Sequence, residues 1–198
     1  AWILRARYSR KDAASGPVYC AHCLATDKQP YFRLEWRAGL ITECPIHAVE
    51  LDEKCPHCGA GIWPHGATRS DLFRDKRIPM GHCHFCRRPL ADVAVRRCNP
   101  EPALALKGIL HRDLHRLAPA MEVPTLEVFG ALDAFCRLFL RRRARARIVS
   151  SGGAWSEIVN AVGETPAGPR VDYLSLAQRR LLVHATLGLL AEWPKAFL

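Results

Sequence analysis

The sequence predicts an α+β protein: small zinc-ribbon-like modules with short β-hairpins, followed by a helical region. Three observations carry this expectation. Four ligand pairs with two-residue gaps, Cys20/Cys23, Cys44/His47, Cys55/Cys58 and Cys83/Cys86, all fall in the first half of the chain. The stretch NPEP at 99–102 places two prolines where a linker or a helix start belongs. Beyond it, apolar residues recur at helical spacing. The expected division is tandem zinc-binding modules over 1–98, with the first site in about 18–50 and the second in about 51–92, then a helical region over 99–198.

Bulk properties bound the classes of function. The chain has 198 residues, enough for one large domain or two small ones, and its 49% hydrophobic content excludes a disordered chain. No apolar run approaches the roughly 18 residues that cross a membrane, so no membrane partner is expected. The opening AWILRARYSR is too short and too basic for a signal peptide. Nine cysteines without a secretion signal point to metal in a reducing cytoplasm rather than to disulfides. The formal net charge is +10. A zinc ion held by three cysteines and one histidine lowers that by one, and a zinc ion held by four cysteines lowers it by two, which leaves about +7. A basic surface attracts nucleic acid or acidic protein.

The knuckles come first in the chain. A two-residue gap lets both side chains of a pair reach one ion from a tight turn, and two such pairs complete a tetrahedral site. Sequential pairing sets Cys20, Cys23, Cys44 and His47 around one Zn2+, and Cys55, Cys58, Cys83 and Cys86 around a second. Two other partitions remain open: the inner pairs together and the outer pairs together, or a cross-brace of first with third and second with fourth. Sequential pairing avoids the longest loop closure. Four protein ligands leave no position for a reactive water, so both zinc ions are expected to be structural. A metal-dependent hydrolase would need such a position and a general base, and neither HExxH nor the deaminase pattern occurs. His22, His57, His82 and His84 lie beside or within the pairs and are expected on exposed knuckle loops. Cys98 is expected as a free thiol, and Cys136 as a small core residue.

Between the first two pairs, PYFRLEWR alternates, with Phe32, Leu34 and Trp36 on one side. Period two predicts a strand there, paired near Leu40–Thr42. The second gap carries Pro64, Gly66, Pro79 and Gly81 and predicts loops and short strands.

In the second half, Leu106, Ile109, Leu110, Leu114 and Leu117 predict a helix ended by Pro119, with His111, Arg112, His115 and Arg116 off its apolar stripe. A second helix starts at about Thr125, with Val128, Leu132, Phe135, Cys136 and Phe139 inward. Its continuation holds six arginines and no acid: Arg137, Arg141, Arg142, Arg143, Arg145 and Arg147. These are candidate contacts to nucleic acid or an acidic partner. They equally suit the negative end of a helix dipole. SSGG breaks the chain at 150–153, AWSEIVNAVG predicts a short helix, and ETPAGPR a loop. A capping box, Ser175 with Gln178, opens a last helix with Leu181, Leu182, Ala185 and Leu189 inward and Pro194 beyond its end.

The succession YCAHCLATDKQPYFRLEWR, CPIHAVELDEKCPHCG, HCHFC and LSLAQRRLLVHATLGLLAEWPKAFL resembles the TniQ family of transposition proteins over nearly the whole chain. Two departures stand out: Ala21 follows Cys20 where the family usually has proline, and Ala48 stands where glycine often follows CPxH. The sequence reads as a central piece of a longer protein, or as a short member like those of some CRISPR-associated transposons. The resemblance implies a non-enzymatic target selector that links target DNA or an RNA-guided CRISPR effector to an AAA+ ATPase regulator. It implies a place in the bacterial cytoplasm at the nucleoid. The alternative is a generic zinc-stabilised nucleic-acid-binding or regulatory module unrelated to transposition.

Overall fold

The computed structural model describes residues 4, 16–64, 78–110, 114–118, 121–163 and 171–191. The architecture is α+β, with six α-helices and two short antiparallel hairpins among the described residues. The chain divides into two compact units that meet in sequence between Pro100 and Glu101.

In the first unit the chain is organised around the spacer between the second and third ligand pairs. Helix α1 (Ala21–Thr26) follows Cys20 directly. Strands β1 (Glu43–Cys44) and β2 (Val49–Glu50) form a hairpin in which Cys44 faces Val49. The spacer then collects backbone bonds on both sides. Tyr19 and Asp52 exchange both N–H···O bonds, at 2.9 and 2.8 Å. Glu50 N–H donates to the Arg96 carbonyl at 2.8 Å, and Cys98 N–H to that of Ala48 at 3.0 Å. The Arg96 guanidinium completes the clamp on Glu50 (2.7 Å) and Asp52 (3.2 Å). Tyr19 and Leu51 are fully buried, so the Tyr19–Asp52 bonds are made in a dry setting where leaving them unmade would be costly, whereas Arg96 reaches in from solvent.

The expected strand in PYFRLEWR is not there. Leu34–Arg37 is a single 3-10 turn, Trp36 is buried and Leu34 is 81% exposed. The hairpin forms within the Cys44/His47 knuckle instead. The reason lies in Arg33. Its guanidinium lies over the rings of Tyr31 and Trp36, 4.8 and 5.1 Å from their centroids, and pairs with Asp27 at 3.0 Å. A strand would put Tyr31 and Arg33 on the face opposite Trp36 and break that stack. The Trp36 and Arg37 carbonyls meanwhile accept from Val18 and Leu4. In the second gap, residues 65–77 lie outside the described residues.

The second unit is a small helical assembly. Helix α2 (Glu101–Leu110) buries Ala103 and Leu106. The expected continuation of this helix through Leu117 is corrected: Leu114–Ala118 is strand β3, antiparallel to β4 (Met121–Pro124). Leu114 and Leu117 fit a helical stripe as well as a strand, and pairing with the segment that follows at 121–124 decides between the two. His111, Arg112 and Pro119 lie outside the described residues. Helix α3 (Thr125–Leu140) buries Val128, Phe129, Leu132, Cys136, Phe139 and Leu140. It ends at Arg141, whose extended backbone (φ −72, ψ 125) separates it from α4 (Arg142–Ser151). Helix α5 is Ala154–Val162, and α6 (Leu176–Ala191) is packed on several sides, burying Arg179, Leu182, Val183, Ala185, Thr186 and Leu189. Leu181, expected inward, is 37% exposed. The capping box forms: Gln178 N–H donates to Ser175 Oγ at 3.3 Å, and Ser175 N–H to Gln178 Oε1 at 3.0 Å. Phe139 stacks on Trp155, centroids 5.6 Å apart. The loop expected over ETPAGPR at 164–170, and Pro194, lie outside the described residues.

Candidate metal centres

Each ligand pair is shaped by its own backbone. Cys20 caps α1, and Cys23 N–H donates to its Sγ at 3.5 Å. The other three pairs close tight turns: Ala48 N–H returns to the Cys44 carbonyl (3.0 Å), Gly59 to Cys55 (2.9 Å) and Arg87 to Cys83 (2.8 Å). In all three, the residue after the last ligand is left-handed, with φ of 51 at Ala48, 69 at Gly59 and 63 at Arg87.

The four turns meet in sequential pairs. Cys20, Cys23, Cys44 and His47 form one quartet; Cys55, Cys58, Cys83 and Cys86 form the other, with all donor atoms of each within 4.8 Å of one another. In the first, Cys23 Sγ lies 3.6 Å from Cys44 Sγ, and His47 Nδ1 lies 3.6, 3.3 and 3.7 Å from the sulfurs of Cys20, Cys23 and Cys44. In the second, Cys55–Cys86 and Cys58–Cys83 sulfurs are each 3.6 Å apart. A tetrahedron with metal–sulfur bonds of about 2.3 Å has sulfur–sulfur edges of about 3.8 Å. Both quartets therefore fit one ion each, and a soft thiolate-rich set suits zinc. None of the nine cysteines is in a disulfide.

The electrostatics of the bare quartets express the same crowding. Hydrogen bonds from the thiols of Cys20 and Cys23 hold the Cys44 thiol far below its ordinary range, while Cys20 and Cys44 push Cys23 far up. Burial pushes Cys83 up to about 12. The sulfurs of a quartet cannot all ionise side by side, and a cation is needed before the others give up their protons.

The two centres differ in exposure. The three cysteines of the first quartet are buried, whereas in the second Cys58 is exposed and Cys86 is half-buried. The neighbouring histidines stand outside both quartets. His22 stacks on His47, centroids 5.3 Å apart. His57 Nε2 donates to the Pro89 carbonyl at 2.9 Å. His84 meets Trp63 and Phe85 edge-on. Cys136 is a fully buried core residue beside Thr186.

The arginine series does not act as one set. Arg137 pairs with Asp133 at 2.6 Å. Arg145, one of the candidate contacts, is half-buried and donates from Nη2 to the Val159 carbonyl at 3.0 Å, tying α4 to α5. Arg141, Arg142, Arg143 and Arg147 are exposed. The break at Arg141 is not signalled by glycine or proline.

The fold and the two quartets define a tandem metal-knuckle protein. The TniQ family model matches residues 1–51 and supports assignment of the chain to that family, which is associated with DNA transposition. The match takes in the first quartet and the PYFRLEWR segment. The second quartet and the helical unit lie beyond it, so it is narrower than the resemblance read along the sequence. No curated protein and no solved structure matches the chain. No helix among the described residues is long and apolar enough to cross a membrane.

Proposed function

We propose that the chain is a non-enzymatic adaptor in transposon target selection. It would link target DNA or an RNA-guided effector to an AAA+ transposition regulator. The observation that carries this reading is the TniQ match, which spans the whole of the first quartet. Two Zn2+ ions, one held by Cys20, Cys23, Cys44 and His47 and the other by Cys55, Cys58, Cys83 and Cys86, serve as cross-links. Four protein donors around each ion leave no place for substrate. Bound zinc supplies four directional bonds and fixes the knuckles. The residues around it orient the sulfurs, as Cys23 and His57 do by donating their N–H groups to Cys20 and Cys55. The rigid knuckle surfaces then present binding faces, and the exposed arginines of the helical unit add a basic one. The setting is the bacterial cytoplasm, at the nucleoid.

Reconstitution of the zinc-loaded chain with the cognate AAA+ ATPase and target DNA tests the adaptor role. Recruitment of the ATPase to DNA only when the chain is present is the expected result. Loading of the ATPase that is indifferent to the chain overturns it. A second reading, a zinc-stabilised nucleic-acid-binding module outside transposition, draws on the end of the family match at residue 51. It predicts DNA binding with no ATPase recruitment.

A further inference from the structure

We infer that the corner between α3 and α4 binds the phosphate backbone of duplex nucleic acid, through Arg141, Arg142, Arg143 and Arg147 and without reading base sequence. This rests on the reading above for its biological setting and narrows its arginine surface to four side chains and one ligand class.

The argument starts from the break at Arg141. In one continuous helix the arginine run would lie at a C-terminus, where cations are favoured by the dipole. The break reverses the sign. Arg142, Arg143 and Arg145 occupy the first turns of α4, at its positive end. The first turn of α4 contains no acidic residue, and its N-cap makes no side-chain hydrogen bond. From 134 to 156 the chain has no Asp or Glu at all. Arg137 and Arg145 are occupied, by Asp133 and the Val159 carbonyl. The other four make no ion pair or side-chain hydrogen bond with any described residue. The free protein thus concentrates like charge at the wrong end of a dipole, and a polyanion relieves both terms.

The composition of α4 selects among polyanions. Its cations are all arginine, whose planar fork matches phosphate oxygens in pairs. It carries no aromatic side chain on which an unpaired base would stack, which disfavours single strands. Val149 is its only exposed large apolar residue, so an acidic protein would find little to anchor on. Phosphate contacts of this kind position a protein on a duplex without specifying sequence.

The test is fluorescence anisotropy of the zinc-loaded full chain with a labelled DNA duplex of arbitrary sequence, across a salt series. Replacing Arg142→Gln, Arg143→Gln and Arg147→Gln together removes three exposed cations that no described residue bonds. The slope of log affinity against log salt should shrink by about 2.7, and affinity near 0.1 M salt should fall more than about tenfold. The matching Arg→Lys triple should keep most of the slope, and Arg137→Gln should change it little. An unchanged slope in the glutamine triple overturns the inference. So does tighter binding of the single strand than of the duplex, or displacement of the duplex by polyglutamate at equal charge, which would make the ligand an acidic polypeptide. Duplex binding without ATPase recruitment would leave the inference standing and remove the adaptor reading.

Discussion

Ala48 and Arg87 hold the same backbone position in two different metal centres, each left-handed and each one residue past the last ligand of its knuckle. Gly59 occupies the third equivalent position. A non-glycine residue in this conformation carries a penalty of about 1–2 kcal/mol, and glycine carries an unfolded-state entropy cost of about 0.5–1 kcal/mol. The first exceeds the second. Ala48→Gly should therefore stabilise the first centre by about 0.5–1 kcal/mol. Gly59→Ala should destabilise the second by a similar amount, since a Cβ there meets nothing within 4 Å and strain alone acts. Thermal unfolding of the zinc-loaded variants measures both, and a fall in stability for Ala48→Gly would refute the account.

The exposure difference between the centres predicts an order of attack. Cys58 is exposed, whereas Cys20, Cys23 and Cys44 are buried. Elemental analysis should find two zinc equivalents per chain, one for each quartet. An organomercurial titrated against a zinc indicator should release the second ion first. The slower phase is then release from the buried first quartet. Simultaneous loss of both ions would show that the centres open together.

Ligand loss in the interior should be harsher. Cys55 is buried, its sulfur lies 3.6 Å from that of Cys86, and its removal leaves three thiols without a closed site. Because structural zinc binding is coupled to folding, Cys55→Ser should unfold or aggregate the first unit. Retention of both zinc ions with an unchanged melting curve would contradict this.

A pH effect follows from Cys136. Burial pushes its thiol from 9.0 up to about 11, against a smaller opposing effect of the bond to Thr186. The folded pKa is raised, so the contribution is fully present below pH 9 and is lost as pH rises toward 11. Over that window the unfolded chain ionises and the folded chain does not, at a cost of about 2–3 kcal/mol by linkage. Chemical denaturation of the wild type from about pH 8 to about pH 11 should show this extra fall, and Cys136→Ala should not. Parallel pH profiles would count against it.

The metal quartets were legible in the sequence because ligand chemistry is a local constraint: a pair two residues apart in a tight turn can do little else. Choosing among the three partitions needed only the cheapest loop closure, and the structure takes that one. The capping box at Ser175 was equally local. What stayed hidden was set by side-chain contacts and strand pairing that periodicity does not report. PYFRLEWR alternates convincingly, yet Arg33 is placed by two rings and by Asp27, none of which the period reveals. Leu114 and Leu117 suited a helix until a partner at 121–124 drew them into a hairpin. The break at Arg141 falls at neither glycine nor proline, so it left no mark in the composition.

The mutual bonds of Tyr19 and Asp52 bear on how the chain comes into being. All four ligands of the first centre, and the Asp52 backbone that pairs with Tyr19, have been synthesised by residue 52. A nascent chain can close that centre while the second is still inside the ribosome, and the strand that seals it then sets the starting point for Cys55. Translation order and spatial order coincide, so the protein acquires its metals in sequence and need not choose among eight competing ligands at once.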